Sequence, residues 1–142
     1  MRLILDASIA LRSVLEEPDS PTALRFCDEA AAGRYTLLAP AIFQFEVAYS
    51  LTKAERRRAI QVGEAEDMAA DVFAEMPELY PATDLLFAAI RLASALRAGL
   101  YDCLYLVLSE QEGIPVLTAD SKLISAAHSR FSLITLDDLP GL

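Results

Sequence analysis

Four short apolar runs constrain this chain more than any other feature: LIL (3–5), YTLLAP (35–40), IPVLT (114–118) and SLITL (132–136). Each is the length of a strand, and the residues between them recur at helical spacing. The pattern predicts helices from Ile9 to about Glu16, from Asp19 or Ser20 to Ala32 before Gly33, and from Ala41 to Arg58. Further helices are expected from Val62 to Met76, closed by Pro77, from Thr83 to Ala98, stopped by Gly99, from Asp102 to Glu112, and over SKLISAAHS (121–129). ELYP (78–81) reads as a short extended piece. Strands joined by helical crossovers imply an α/β protein with a mostly parallel central sheet and helices on both faces. No internal repeat, low-complexity tract or linker interrupts the 142 residues. They read as one domain, long enough to bury roughly 68–70% of the unfolded surface.

Composition then excludes several classes. Apolar residues make up 54% and charged residues 23%, which rules out a disordered chain. The apolar run after Arg2 is too short for a signal peptide, and Arg91, Arg97 and Asp102 interrupt the longest apolar region, so no membrane span is expected. Cys27 and Cys103 match neither a metal-binding spacing nor a disulfide framework, which suits a reducing cytoplasm. A net charge of −9 argues against a general nucleic-acid binder, whose footprint is basic. It is compatible with an enzyme whose acidic centre is neutralised by divalent cations.

The acids are placed informatively. In parallel sheets, ligands gather outside the carboxyl ends of the strands, at the point where strand order reverses. Asp6 directly follows LIL, and Asp120 lies two residues beyond IPVLT, so both map to the same edge. Glu46 lies inside the apolar helix AIFQFEVAYSL (41–51), and Asp102 opens LYDCLYLVL (100–108). Each aspartate has an alternative employment as a helix N-cap: Asp6 with Ser8, Asp102 for its own helix, and Asp120 for SKLISAAHS. Glu46 has no capping role in mid-helix, although it can point to solvent. If the four converge, like charges ~4 Å apart repel by about 4 kcal/mol at an effective dielectric of about 20. Such a cluster must bind protons or cations. Carboxylate oxygens suit Mg²⁺ or Mn²⁺, and no cluster of His and Cys offers a zinc site.

The segments LILDAS (3–8), FEVAYSL (45–51), LYDCLYLVLSE (100–110) and VLTAD (116–120), in that order, resemble the PIN-domain family. Within it the likeness is closest to the VapC-type toxins of type II toxin–antitoxin pairs, and it runs essentially end to end through LITLDDL (133–139). The resemblance implies a single PIN-like domain over residues 1–142, folded as a three-layer α/β/α sandwich. It implies a Mg²⁺- or Mn²⁺-dependent endoribonuclease that hydrolyses RNA phosphodiesters with a metal-activated water, leaving 3′-hydroxyl and 5′-phosphate ends. The family's acidic quartet maps onto Asp6, Glu46, Asp102 and Asp120. Asp6 and Asp102 are expected to bind the principal metal, Glu46 to complete its environment, and Asp120 to act as an outer or second-metal ligand. Ser8 and Thr118 are expected to orient water or carboxylates. Cys103 stands where alanine is commoner, one small residue for another. Its thiol beside the site is either a point of oxidation sensitivity or an inert buried side chain.

The resemblance also implies partners. These are the RNA substrate, a cognate antitoxin that brings a basic segment to the acidic groove, and a second copy of the chain. For the last, the helices at 41–58 and 62–76 offer apolar surface.

Lys53, Arg56, Arg57 and Arg58 form a basic cluster in an acidic chain, read either as a solvated helix end or as phosphate contacts. Arg12 and Lys122, each near a motif carboxylate, are further candidates for RNA binding. His128, the one histidine, lies outside every motif and reads as a surface residue. Tyr49, Tyr80, Tyr101 and Tyr105 at helical spacing serve either as core and rim residues or as platforms for base stacking. Three other functions compete with the toxin reading. One is a catalytically silent PIN-like binding module, another a PIN ribonuclease of RNA processing. The third is a phosphotransfer enzyme using Asp6 as nucleophile, against which Ser8 stands where such enzymes usually carry a second Asp.

Overall fold

A computed structural model describes residues 1–142. Five parallel strands form one sheet in the order β3-β2-β1-β4-β5: β1 Arg2–Leu5, β2 Thr36–Pro40, β3 Glu78–Tyr80, β4 Val116–Leu117 and β5 Leu133–Ile134. The helices are α1 Ala7–Val14, α2 Ser20–Ala31, α3 Phe43–Arg56, α4 Glu64–Ala74, α5 Ala82–Leu96, α6 Leu100–Glu112 and α7 Ser121–Ala127. A 3₁₀ turn at Leu136–Asp138 follows β5.

The chain winds outward from β1 through β2 to β3, returns over the sheet, and continues outward on the other side through β4 and β5. Right-handed crossovers place α1–α4 on one face and α5–α7 on the other. The contacts agree: α1 packs on α2, α3 and α4, whereas α5 packs on α6. β1 is the central strand, with Leu3 and Ile4 fully buried. Opposite it, α6 is buried continuously from Cys103 to Ser109, as expected of a helix that is apolar all round. Strand order reverses between β1 and β4, so the crevice predicted for a ligand opens where Asp6 and Thr118 emerge.

The mostly parallel sheet expected from the sequence is wholly parallel. Elements differ from expectation mainly at their ends. β4 covers two residues of IPVLT because Pro115 has no N–H for the ladder, although its carbonyl accepts from the Ile4 N–H at 2.9 Å. β5 likewise covers two residues of SLITL, since Thr135 turns out of the sheet to cap the 3₁₀ turn. Helix α3 starts at Phe43 and not Ala41: its first bond of helical spacing runs from the Glu46 N–H to the Ile42 carbonyl at 3.0 Å, while the Ala41 N–H still donates to the Tyr80 carbonyl at 2.8 Å in continuation of the β2–β3 pairing. Helix α5 stops at Leu96, with Arg97 rather than a glycine in the left-handed conformation (φ 54°). Gly99 instead precedes α6 as its N-cap. No single helix is long and apolar enough to cross a membrane.

Candidate active site

Asp6 ends β1 and precedes α1, the position of an N-cap, yet its side chain caps nothing in that helix. Its Oδ2 accepts from the Ser8 hydroxyl at 2.6 Å and from the Thr118 hydroxyl at 2.7 Å. The network is tied down further. Ser8 Oγ accepts from the Ala119 N–H at 3.0 Å, and Thr118 Oγ1 from the Asp120 N–H at 3.0 Å. The two hydroxyls therefore splice the end of β1 to the end of β4, and Thr118 is completely buried. Burial raises the Asp6 pKa from its ordinary value, the Ser8 and Thr118 hydrogen bonds oppose that shift, and the charge of Asp120 adds to it.

Asp102 does not open its helix; it is the third residue of α6 and so not the cap. Its Oδ2 lies close enough to Gly99 that a Cβ added there would sit at 3.4 Å. Burial, followed by the charges of Asp6 and Asp120, pushes its pKa to about 6. Glu46 falls in the first turn of α3 and not mid-helix, so a carboxylate there is favoured by the helix dipole. It is half-buried, and its Oε1 accepts a hydrogen bond from the Tyr105 hydroxyl at 2.6 Å. Burial pushes its pKa to about 7, against the Tyr105 hydrogen bond and with the charges of Asp6 and Asp102. Asp120 is the true cap, its Oδ1 accepting from the N–H groups of Lys122 at 2.8 Å and Leu123 at 3.2 Å.

The mutual charge effects order the rim. Asp102 feels the charges of Asp6 and Asp120, Asp6 feels that of Asp120, and Glu46 on α3 feels those of Asp6 and Asp102. No three of the His, Cys, Asp and Glu side chains are arranged to hold a metal ion. Three of the four carboxylates are engaged by protein donors, and like charge keeps unneutralised groups apart. The donor set itself fits a hard divalent cation: it is all carboxylate oxygen, and no protein hydrogen bond compensates Asp102.

The remaining candidates separate. Arg12 pairs with Asp19 and lines a cavity of about 190 Å³ beside Thr118 and Ala119, next to the acidic rim. Lys122 follows Asp120 in α7 with its side chain exposed. Lys53, Arg56 and Arg57 are exposed at the far end of α3, and the ten residues from Glu46 to Arg56 correspond to about 15 Å of helix. The structure does not bring them to the rim. His128 is exposed, as expected. Of the tyrosines, Tyr49 and Tyr101 are exposed, and Tyr105 is fully buried. Cys103 is buried, and burial with the Asp102 charge raises its thiol pKa, the opposite of an activated thiol.

Tyr105 is the contact that sequence reasoning missed. Its signal was available: it sits three residues after Asp102 on one helix, and a buried phenol usually finds a hydrogen-bond partner.

Fold and site together define a class, the doubly wound parallel α/β proteins that gather acidic side chains where the strands end. The chain belongs to the PIN-domain family, whose model matches residues 3–138. PIN domains are generally nucleases.

Solved structures share the fold at low identity. PAE2754 of Pyrobaculum aerophilum is 17% identical, with a TM-score of 0.69 over 96% of this chain and 93% of its own. VapBC2 of Rickettsia felis, solved bound to a DNA fragment from its promoter, is 17% identical, with a TM-score of 0.64 over 95% of this chain and 98% of its own. A toxin–antitoxin complex from Klebsiella pneumoniae is 13% identical, with a TM-score of 0.60 over 94% of this chain and 97% of the matched chain. No curated protein sequence matches this chain.

Proposed function

We propose that this protein is a divalent-metal-dependent endoribonuclease acting as the toxin of a type II toxin–antitoxin pair in the cytoplasm. The observation that carries the reading is the placement of Asp6, Glu46, Asp102 and Asp120. They come from four different elements at the carboxyl ends of the strands of a PIN fold, and burial, with mutual charge, raises the pKa of Asp6, Glu46 and Asp102 from their ordinary values. Asp6 and Asp102 would hold Mg²⁺ or Mn²⁺, with Glu46 and Asp120 on either side. When bound, the cation supplies charge neutralisation at the scissile phosphate and lowers the pKa of water. Ser8 and Thr118 keep one Asp6 oxygen occupied and leave the other free for the rim. A flanking carboxylate accepts the proton that the attacking water loses. Arg12, in its cavity next to Thr118, is the basic side chain best placed to meet substrate phosphate.

The antitoxin reading draws support from the fold shared with toxin–antitoxin complexes and from the acidic rim, which a basic side chain of a partner would neutralise. Self-association is supported by Phe45 and Tyr49, exposed on α3; of the helix expected over 62–76, α4 exposes no large apolar residue and only Val62 before it does, whereas α5 exposes Phe87 and Ile90. One observation favours a catalytically silent binding module instead: no three acids are arranged to hold a metal ion. Cleavage of a mixed RNA pool in Mn²⁺ and in chelator separates the two. The nuclease cuts in Mn²⁺ only and loses cutting in Asp6→Asn and Asp102→Asn. Equal results with and without metal, or full cleavage by both variants, would overturn the assignment.

A further inference from the structure

Tyr105 is among the largest fully buried side chains of the protein, and it projects from α6 within the stretch buried continuously from Cys103 to Ser109. Its hydroxyl nevertheless leaves the core. It crosses from α6 to α3 and donates to Glu46 Oε1 at 2.6 Å. No other protein donor reaches that carboxylate. A glutamate has three rotatable side-chain bonds, and fixing it costs rotamer entropy. Here the charges of Asp6 and Asp102 also act on Glu46, a repulsion that turning outward to solvent would relieve. The phenol opposes that escape while occupying a single oxygen, so the second remains without a protein partner. A rigid aromatic ring packed in the core is a better anchor for this purpose than a flexible surface side chain. The bond also ties the two helices that carry Glu46 and Asp102 together above the sheet edge.

We propose that Tyr105 is the positioning residue of the acidic rim: its phenol holds the Glu46 carboxylate in place before a divalent cation arrives. The inference rests on the metal-site reading given above. Outer partners of this kind typically alter metal affinity by roughly 10- to 100-fold.

The experiment is a calorimetric Mn²⁺ titration of the full chain and of Tyr105→Phe, Glu46→Asp and the double variant. Tyr105→Phe removes one oxygen from the core and is expected to weaken Mn²⁺ binding roughly 10-fold. In cleavage assays, kcat should fall while KM for RNA stays unchanged. Glu46→Asp keeps the charge but is one methylene too short to reach the phenol. It is expected to lose a similar factor, and adding Tyr105→Phe to it should cost nothing further. Wild-type affinity in Tyr105→Phe, or the same additional loss in the Glu46→Asp background, overturns the positioning role and leaves the metal reading standing. Should Tyr105→Phe not fold, Glu46→Asp alone decides, since unchanged affinity there overturns the role. Absence of Mn²⁺ binding by the wild-type protein overturns both.

Discussion

Asp6 and Asp120 occupy equivalent places, each between a strand end and a helix, yet they spend their oxygens differently. Asp120 caps α7 with Oδ1, whereas Asp6 gives Oδ2 to two hydroxyls and caps nothing. The sequence alone left both roles open for both residues, because an N-cap and a strand-end ligand have the same local signature. Substitution separates them. Asp120→Ala is expected to cost about 1 kcal/mol in urea unfolding, while Asp120→Asn keeps the cap and costs little. Asp6→Asn retains an acceptor for Ser8 and Thr118 and removes a raised, buried charge. Metal-free stability should therefore be equal or higher while metal-dependent cleavage is lost. Thr118→Val strands the Asp120 N–H and takes one donor from Asp6, for an expected loss of roughly 1–3 kcal/mol in the same unfolding assay.

At the scale of elements, every predicted strand and helix exists, because apolar period and turn residues decide existence. Ends depend on distant backbone, which periodicity does not encode. At Ala41 the chain is still paired with Tyr80, nearly forty positions away, and α3 begins only at Phe43, which moves Glu46 from mid-helix into the first turn. Asp102 changed in the same way, from helix opener to third residue, once Gly99 took the cap. The basic cluster lies at the far end of α3, about 15 Å of helix from Glu46, a separation that composition does not encode. Tyr105 was hidden because a phenol among leucines looks like packing until its partner on another helix is known. Arg97 holds a left-handed conformation that costs L-residues about 1–2 kcal/mol, partly offset in glycine by unfolded-state entropy. Arg97→Gly should raise the thermal midpoint by the equivalent of roughly 0.5 kcal/mol, measured in chelator, without affecting cleavage.

For the whole molecule, the acidic rim sets a pH dependence opposite to that of a salt-bridged protein. Glu46, at about 7 against an ordinary 4.5, and Asp102, at about 6 against 3.8, both hold protons more tightly in the fold than in the unfolded chain. Between those limits the native state binds more protons, so metal-free stability falls as pH rises from about 4 through 7. Melting in chelator should give a lower midpoint at pH 8 than at pH 5, and Glu46→Gln should flatten the difference. Added Mn²⁺ should restore stability most at the higher pH, since binding to the native state alone stabilises it.

The strand order carries a consequence for how the protein is made. Its central strand precedes the other four along the chain, but β4, which closes one side of that strand, comes only at Val116. Asp102 and Asp120 belong to that late portion of the chain. A nascent polypeptide on the ribosome, or a product cut short by a premature stop, holds Asp6 and Glu46 without the partners that give them a function. On the proposed assignment, the acidic centre comes into being only once the chain has been made through Asp120, so shorter products lack the chemistry proposed for it.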